Sequence, residues 1–140
     1  MIAYFDTSAL IPLLVEEPNS DWVERLWKSA GRVASVRLLY PEARAALAQA
    51  QRMGRLAAER LPTAVADLES LDRQVDHVEV TPELAARAGS LAESAALRGY
   101  DAVHLAAAES IADSDLVVVA GDVTLRLAAQ ALGLAIAEVG

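Results

Sequence analysis

The 140-residue chain is apolar at 54% of its positions, contains no cysteine and carries a formal net charge of −8. That length and apolarity allow a buried core without covalent staples and argue against disorder. The lack of thiols excludes disulfides, thiolate catalysis and zinc sites built on sulfur.

In chain order, residues 2–5 favour a strand that ends at Asp6. Residues 7–15 have helical spacing, limited by Pro12. Asn19 or Ser20 caps a helix whose apolar stripe is Trp22, Val23, Leu26 and Trp27. A second strand follows at 32–36. The alanine- and leucine-rich segment 38–53 reads as a helix with Pro41 in its first turn and Gly54 as its stop. Another helix is expected at 56–71, interrupted near Pro62, followed by a short strand at 78–80. Thr81 and Pro82 start a helix running to about Gly99. Asp101 opens one running to about Ala112. The run 116–120 has the β-branched, wholly apolar character of a strand buried on both faces. Asp122 begins the next helix, Gly133 ends it, and 134–137 form a last strand. Strands separated by helices pair in parallel. The expected fold is therefore α/β: one domain over 1–140, a three-layer α/β/α sandwich with a central, mostly parallel sheet.

The negative charge disfavours a polyanionic ligand, but its distribution matters more than its sum. Arg25, Lys28, Arg32, Arg37, Arg44, Arg52, Arg55 and Arg60 share a stretch whose only acids are Glu42 and Glu59, about +6 in all. Such asymmetry suits a nucleic-acid groove, with Arg44, Arg52 and Arg55 as candidate RNA contacts. It equally suits the solvated faces of two helices, or the docking site of an acidic protein. No apolar run approaches the ~18 residues of a membrane span, and the N-terminus has no basic lead before its apolar run, which Asp6 interrupts. The expectation is a soluble, cytoplasmic protein with no membrane partner.

Four carboxylates stand at unusual positions. Asp6 and Asp122 each follow a strand, where ligands bind in open α/β sheets. Glu42 and Asp101 lie early in helices, and most of the neighbours of both are apolar. Taken singly, Asp6, Asp101 and Asp122 read as helix caps and Glu42 as a first-turn acid or an arginine partner. Taken jointly, they point to a shared site. At about 4 Å and an effective dielectric of about 20, each pair of like charges costs roughly 4 kcal/mol. Either their pKa values rise or a divalent cation sits among them, and an oxygen-only donor set suits Mg²⁺ or Mn²⁺. Such an ion is suited to phosphodiester hydrolysis. Thr7 or Ser8 either orients Asp6 or caps the following helix. His104, three residues after Asp101 on the same helical face, is either a proton-transfer group or, the favoured reading, a hydrogen-bonded structural histidine.

Four segments carry a family resemblance: Ile2-Ala3-Tyr4-Phe5-Asp6-Thr7-Ser8-Ala9-Leu10, Tyr40-Pro41-Glu42-Ala43-Arg44-Ala45-Ala46-Leu47, Tyr100-Asp101-Ala102-Val103-His104-Leu105-Ala106, and Gly121-Asp122 through Leu132-Gly133-Leu134. In order and spacing, across nearly the whole chain, they resemble the PIN-domain nucleases, most of all the VapC-type toxins of bacterial toxin–antitoxin modules. The resemblance implies a Mg²⁺- or Mn²⁺-dependent endoribonuclease that forms a homodimer and is inhibited by a cognate antitoxin. It implies an acidic quartet of Asp6, Glu42, Asp101 and Asp122, with Asp122 at the family's least uniform position, and hydroxyl residues at Thr7 and Ser8. The rival from another class is a catalytically idle PIN-like module that only binds RNA or protein. Phosphatases that use an Asp-x-Asp pair are disfavoured by Ser8, and receiver domains by the single lysine, Lys28.

Overall fold

The structure, a computed structural model, describes residues 1–137; the last three positions of the expected domain, 138–140, lie outside the described residues. Five strands form one sheet: β1 (Ile2–Phe5), β2 (Arg32–Val36), β3 (Val75–Val78), β4 (Leu116–Val119) and β5 (Ala135–Ile136). Their order is β3-β2-β1-β4-β5, and every pairing is parallel. Seven helices connect them: α1 (Thr7–Leu10), α2 (Ser20–Ser29), α3 (Leu39–Arg52), α4 (Leu61–Asp72), α5 (Pro82–Ala95), α6 (Gly99–Ser110) and α7 (Val123–Ala131).

The alternation of side chains along the strands divides the core into two layers. Ala3, Phe5 and Val33 face one side and pack with Leu10, Val23, Leu39, Leu47 and Leu68 from α1 to α4. Tyr4, Ala34 and Val36 face the other and pack with Leu84, Leu91, Leu105 and Leu125 from α5 to α7. The expected three-layer α/β/α sandwich is thus the observed one. Central β1 pairs with β2 and β4 in register, Ile2 opposite both Arg32 and Leu116. The chain builds outward from β1 on one side, then returns to build the other. That reversal opens a crevice beyond the carboxyl ends of β1 and β4. Among the described residues no helix is long and apolar enough to cross a membrane.

Several boundaries differ from expectation, each for a local reason. The third strand is Val75–Val78, overlapping the expected 78–80 only at Val78, because the register with β2 runs from Val33 opposite Val75 to Val36 opposite Val78. Its polar residues are paired: Asp76 accepts from Arg32, and His77 hydrogen-bonds Asp72. The helix begun by Thr81 ends at Ala95, not near Gly99. Ala96 takes a left-handed conformation (φ 53°), and the chain turns to bury Leu97 in the core. Asp101 consequently does not open its helix; it is the third residue of α6, whose cap position is Arg98. The segment 7–15 is α1 followed by a 3₁₀ turn around Pro12. In 56–71 the break precedes Pro62, which sits in the first turn of α4, as a residue without an amide donor should.

Candidate active site

All four acids line one cleft of about 650 Å³ at the crevice beyond β1 and β4. Asp6 arrives there because β1 ends at it; its side chain accepts from the Ala9 amide and caps α1. Asp122 likewise caps α7, accepting from the Thr124 amide. The capping role and the cleft position therefore coexist in both residues. Glu42 projects from the first turn of α3, and Asp101 from the first turn of α6. Leu38, Pro41, Ala45, Ala46 and Gln49 form the α3 wall, and Tyr100 stands exposed at the rim.

Asp6 is the most unusual of the four. It is only 4% exposed, yet its partners are neutral donors: the Ala9 amide and the Ser8 hydroxyl, which reaches both carboxylate oxygens at 2.9 and 3.0 Å. Among the described residues no lysine or arginine pairs with it. Burial pushes its pKa up, and the nearby His104 imidazole and the hydrogen bonds from Ala9 and Ser8 only partly oppose that. Ser8 Oγ also accepts from the Gly121 amide at 3.1 Å, tying the end of β4 to the start of α1. A Cβ at Gly121 would lie 2.8 Å from that oxygen and 3.3 Å from Ser8 Cβ. Gly121→Ala should displace the serine hydroxyl and cost about 1 kcal/mol, as Ser8→Ala should. Urea denaturation of the single and double variants should show a smaller Gly121→Ala effect in the Ser8→Ala background. Strict additivity would contradict the contact.

Glu42 is held by two groups. Thr7 Oγ1 donates to its Oε1 at 2.9 Å, and His104 Nε2 lies 2.8 Å from the same oxygen. The imidazole is 3% exposed, and its Nδ1 is 2.9 Å from the hydroxyl of buried Tyr4. A carboxylate only accepts, so the tautomer assigned here has Nε2–H donating to Glu42 and Nδ1 accepting a hydrogen bond from Tyr4 O–H. Burial holds the Tyr4 phenol well above its ordinary value, which keeps it a donor. His104 is thus hydrogen-bonded at both ring nitrogens. Tyr4 was not legible as part of the site, because nothing in its sequence context distinguishes it from a strand-core aromatic.

Asp101 and Asp122 face Arg98, whose Nε donates to Asp101 Oδ2 at 3.1 Å while one terminal nitrogen stands 3.8 Å from Asp122 Oδ2. Arg98 also escaped the sequence reading; its only signal was a cation three residues before an acid, at helical spacing. The three arginines expected to contact RNA do not line the cleft. Arg44 lies over the Tyr40 ring, donating to its hydroxyl. Arg55 lines an adjoining groove that shares Ser8, Ala46 and Gln49 with the cleft, and it stands 3.6 Å from Glu17. Arg52 occupies the last turn of α3. Of the remaining basic stretch, Lys28, Arg32 and Arg37 are paired with Glu24, Asp76 and Glu79.

Among the described residues no three acidic or imidazole groups stand close enough to close on a metal ion as they are. The donor set nevertheless fits a hard divalent cation. It is all oxygen, it converges on one cleft, and it includes a buried carboxylate that, among the described residues, no lysine or arginine pairs with.

The sequence matches the PIN domain family over residues 3–130. The chain belongs to the PIN-domain family. Within it, this PIN chain is 42% identical over 136 residues to Ribonuclease VapC49 of Mycobacterium tuberculosis, covering 97% of this chain and 94% of that protein. Its fold superposes on PAE2754 of Pyrobaculum aerophilum with a TM-score of 0.72 at 26% identity, over 97% of this chain and 83% of that one. A toxin–antitoxin complex from Klebsiella pneumoniae shares the PIN fold at a TM-score of 0.54 and 20% identity, over 84% and 83% of the two chains.

Proposed function

We propose that this chain is a Mg²⁺- or Mn²⁺-dependent endoribonuclease, acting as one PIN domain and as the toxin of a toxin–antitoxin pair. The observation that carries the reading is Asp6: a buried carboxylate, paired with no lysine or arginine among the described residues, that opens into a cleft shared with Glu42, Asp101 and Asp122. A charge so placed calls for a cation. The 42% identity to a protein named as a ribonuclease supports the reaction class.

Asp6, Asp101, Asp122 and Glu42 would hold the ion, which when bound supplies positive charge to a phosphodiester and makes a water more acidic. Ser8 fixes the carboxylate plane of Asp6 by reaching both of its oxygens. Thr7 and His104 fix Glu42 by meeting on one of its oxygens, Oε1. Precise placement of this kind is what partners behind metal-binding groups contribute. Arg55 lines the adjoining groove, and with Arg44 and Arg52 it would track the RNA backbone as it leaves the cleft. The Klebsiella complex supports an antitoxin partner for this chain; a homodimer and a cytoplasmic location complete the proposal.

One observation favours the idle module instead: Arg98 already gives Asp101 and Asp122 a cationic partner. Cleavage assays separate the two readings. The purified, partner-free protein should cut structured RNA with Mn²⁺ present and stop on addition of chelator. Asp101→Asn should leave the fold intact and lower cleavage by more than about a hundredfold, beyond the loss typical of supporting residues. Cleavage that persists in chelator, or in Asp101→Asn, would overturn the assignment.

A further inference from the structure

We propose that Arg98 is the side chain that meets the RNA phosphodiester in this cleft, and that it competes with the divalent cation for Asp101 and Asp122. The inference rests on the ribonuclease reading above. A cleft lined by four carboxylates repels a phosphodiester, and among the residues that line it Arg98 is the only lysine or arginine. A guanidinium presents a planar fork of donors that matches phosphate oxygens. Only Nε is spent on Asp101; the Asp122 contact, at 3.8 Å, is longer than a hydrogen bond. The remaining donors are available to a second anion.

Position and exposure favour the same role. Arg98 sits on extended backbone at the cap position of α6, one residue before the helix, and its side chain is 83% exposed. A pair of this kind is worth about 0–1 kcal/mol, so exchanging it for a phosphate meets little resistance. A structural ion pair would stop there. The competition arises because both contacts fall on Oδ2 atoms, oxygens that a cation held by Asp101 and Asp122 would also approach. Arg98 therefore opposes metal uptake and assists RNA, and the two effects have opposite signs.

Calorimetric titration of Mn²⁺ and fluorescence anisotropy of a short labelled single-stranded RNA, the latter in chelator so that nothing is cut, test this on wild type, Arg98→Ala and Arg98→Lys. Arg98→Ala should bind Mn²⁺ about three- to fivefold more tightly and RNA several-fold more weakly. Its plot of log affinity against log salt should lose about 0.7 of its slope, the share of one phosphate contact. Arg98→Lys, which keeps the charge and loses the fork, should fall between. A partly unfolded variant would weaken both ligands and could not produce opposite shifts. Unchanged RNA affinity and slope in Arg98→Ala would overturn the phosphate role, and unchanged or weaker Mn²⁺ binding the competition. A wild-type protein that takes up no Mn²⁺ would overturn the metal reading beneath this one and the competition with it, while the salt slope would still decide the phosphate contact.

Discussion

Replacing Asp6 by asparagine is expected to abolish metal-dependent cleavage and, in the same protein, to raise stability at neutral pH. The first effect follows from the central place of Asp6 in the cleft: a loss of more than about a hundredfold, since even residues that only support metal-binding groups are worth about ten- to a hundredfold. The second follows from burial. Asp6 holds its proton more tightly in the folded protein than in the unfolded chain. Ionising it therefore costs folding free energy. That cost is absent below the ordinary carboxylate range and complete once pH exceeds the raised value of the folded state. Asparagine keeps an oxygen to accept from Ala9 and Ser8 and carries no charge. The thermal midpoint of Asp6→Asn, with chelator present, should thus exceed wild type at pH 7 and converge with it as pH falls below the carboxylate range. A variant less stable than wild type at pH 7 would show that the Ser8 and Ala9 hydrogen bonds outweigh the burial of charge. Function and stability are opposed at this one position, as at many sites assembled for chemistry.

The largest loss of stability is expected from His104→Ala. The imidazole is almost wholly enclosed and bridges Tyr4 to Glu42. Truncating it leaves a cavity beneath α6, strands the Tyr4 hydroxyl without its acceptor and removes one of the two donors to Glu42. An unsatisfied buried group costs about 1–3 kcal/mol, and with the cavity the total should reach about 3–5 kcal/mol. Tyr4→Phe removes only the phenolic oxygen and should cost about 1–2 kcal/mol, leaving Nδ1 unpaired. Because the two side chains share one hydrogen bond, the double variant should cost less than the sum of the singles by about 1 kcal/mol in a urea-denaturation cycle. Additive losses would mean that the Tyr4–His104 contact does not hold in solution. Cleavage should fall in both singles, because Glu42 loses its fixed orientation when His104 moves.

The sequence made the outline of this site readable for a physical reason. An acid placed at or just beyond the end of an apolar strand, as Asp6 and Asp122 are, has few destinations except the crevice at the strand ends. The four acids do converge there. The run 116–120 was equally legible, since a wholly apolar β-branched segment in a parallel sheet must be covered on both faces. What escaped depended on partners distant in sequence. β3 carries Asp76 and His77 in its middle and so lacks an apolar signature; its place is set by the register with β2 and by pairing with Arg32 and Asp72. The end of α5 was hidden because Ala96, not a glycine, takes the left-handed turn, held by the burial of Leu97. The link from Tyr4 to His104 spans a hundred positions and joins a strand to a helix on one face of the sheet. Part of the basic stretch also has partners distant in sequence: Arg32 and Arg37 pair with acids of β3 and its following turn.

The central claim, that these carboxylates form a divalent-cation site, is tested most directly by calorimetric titration of Mn²⁺ into the purified, partner-free protein beside its Asp6→Asn variant. The account predicts saturable binding by wild type and its loss in the variant, with both proteins folded. Wild type that takes up no Mn²⁺, or an Asp6→Asn variant that binds it equally well, would contradict the account and leave the four acids as helix caps and ion-pair partners.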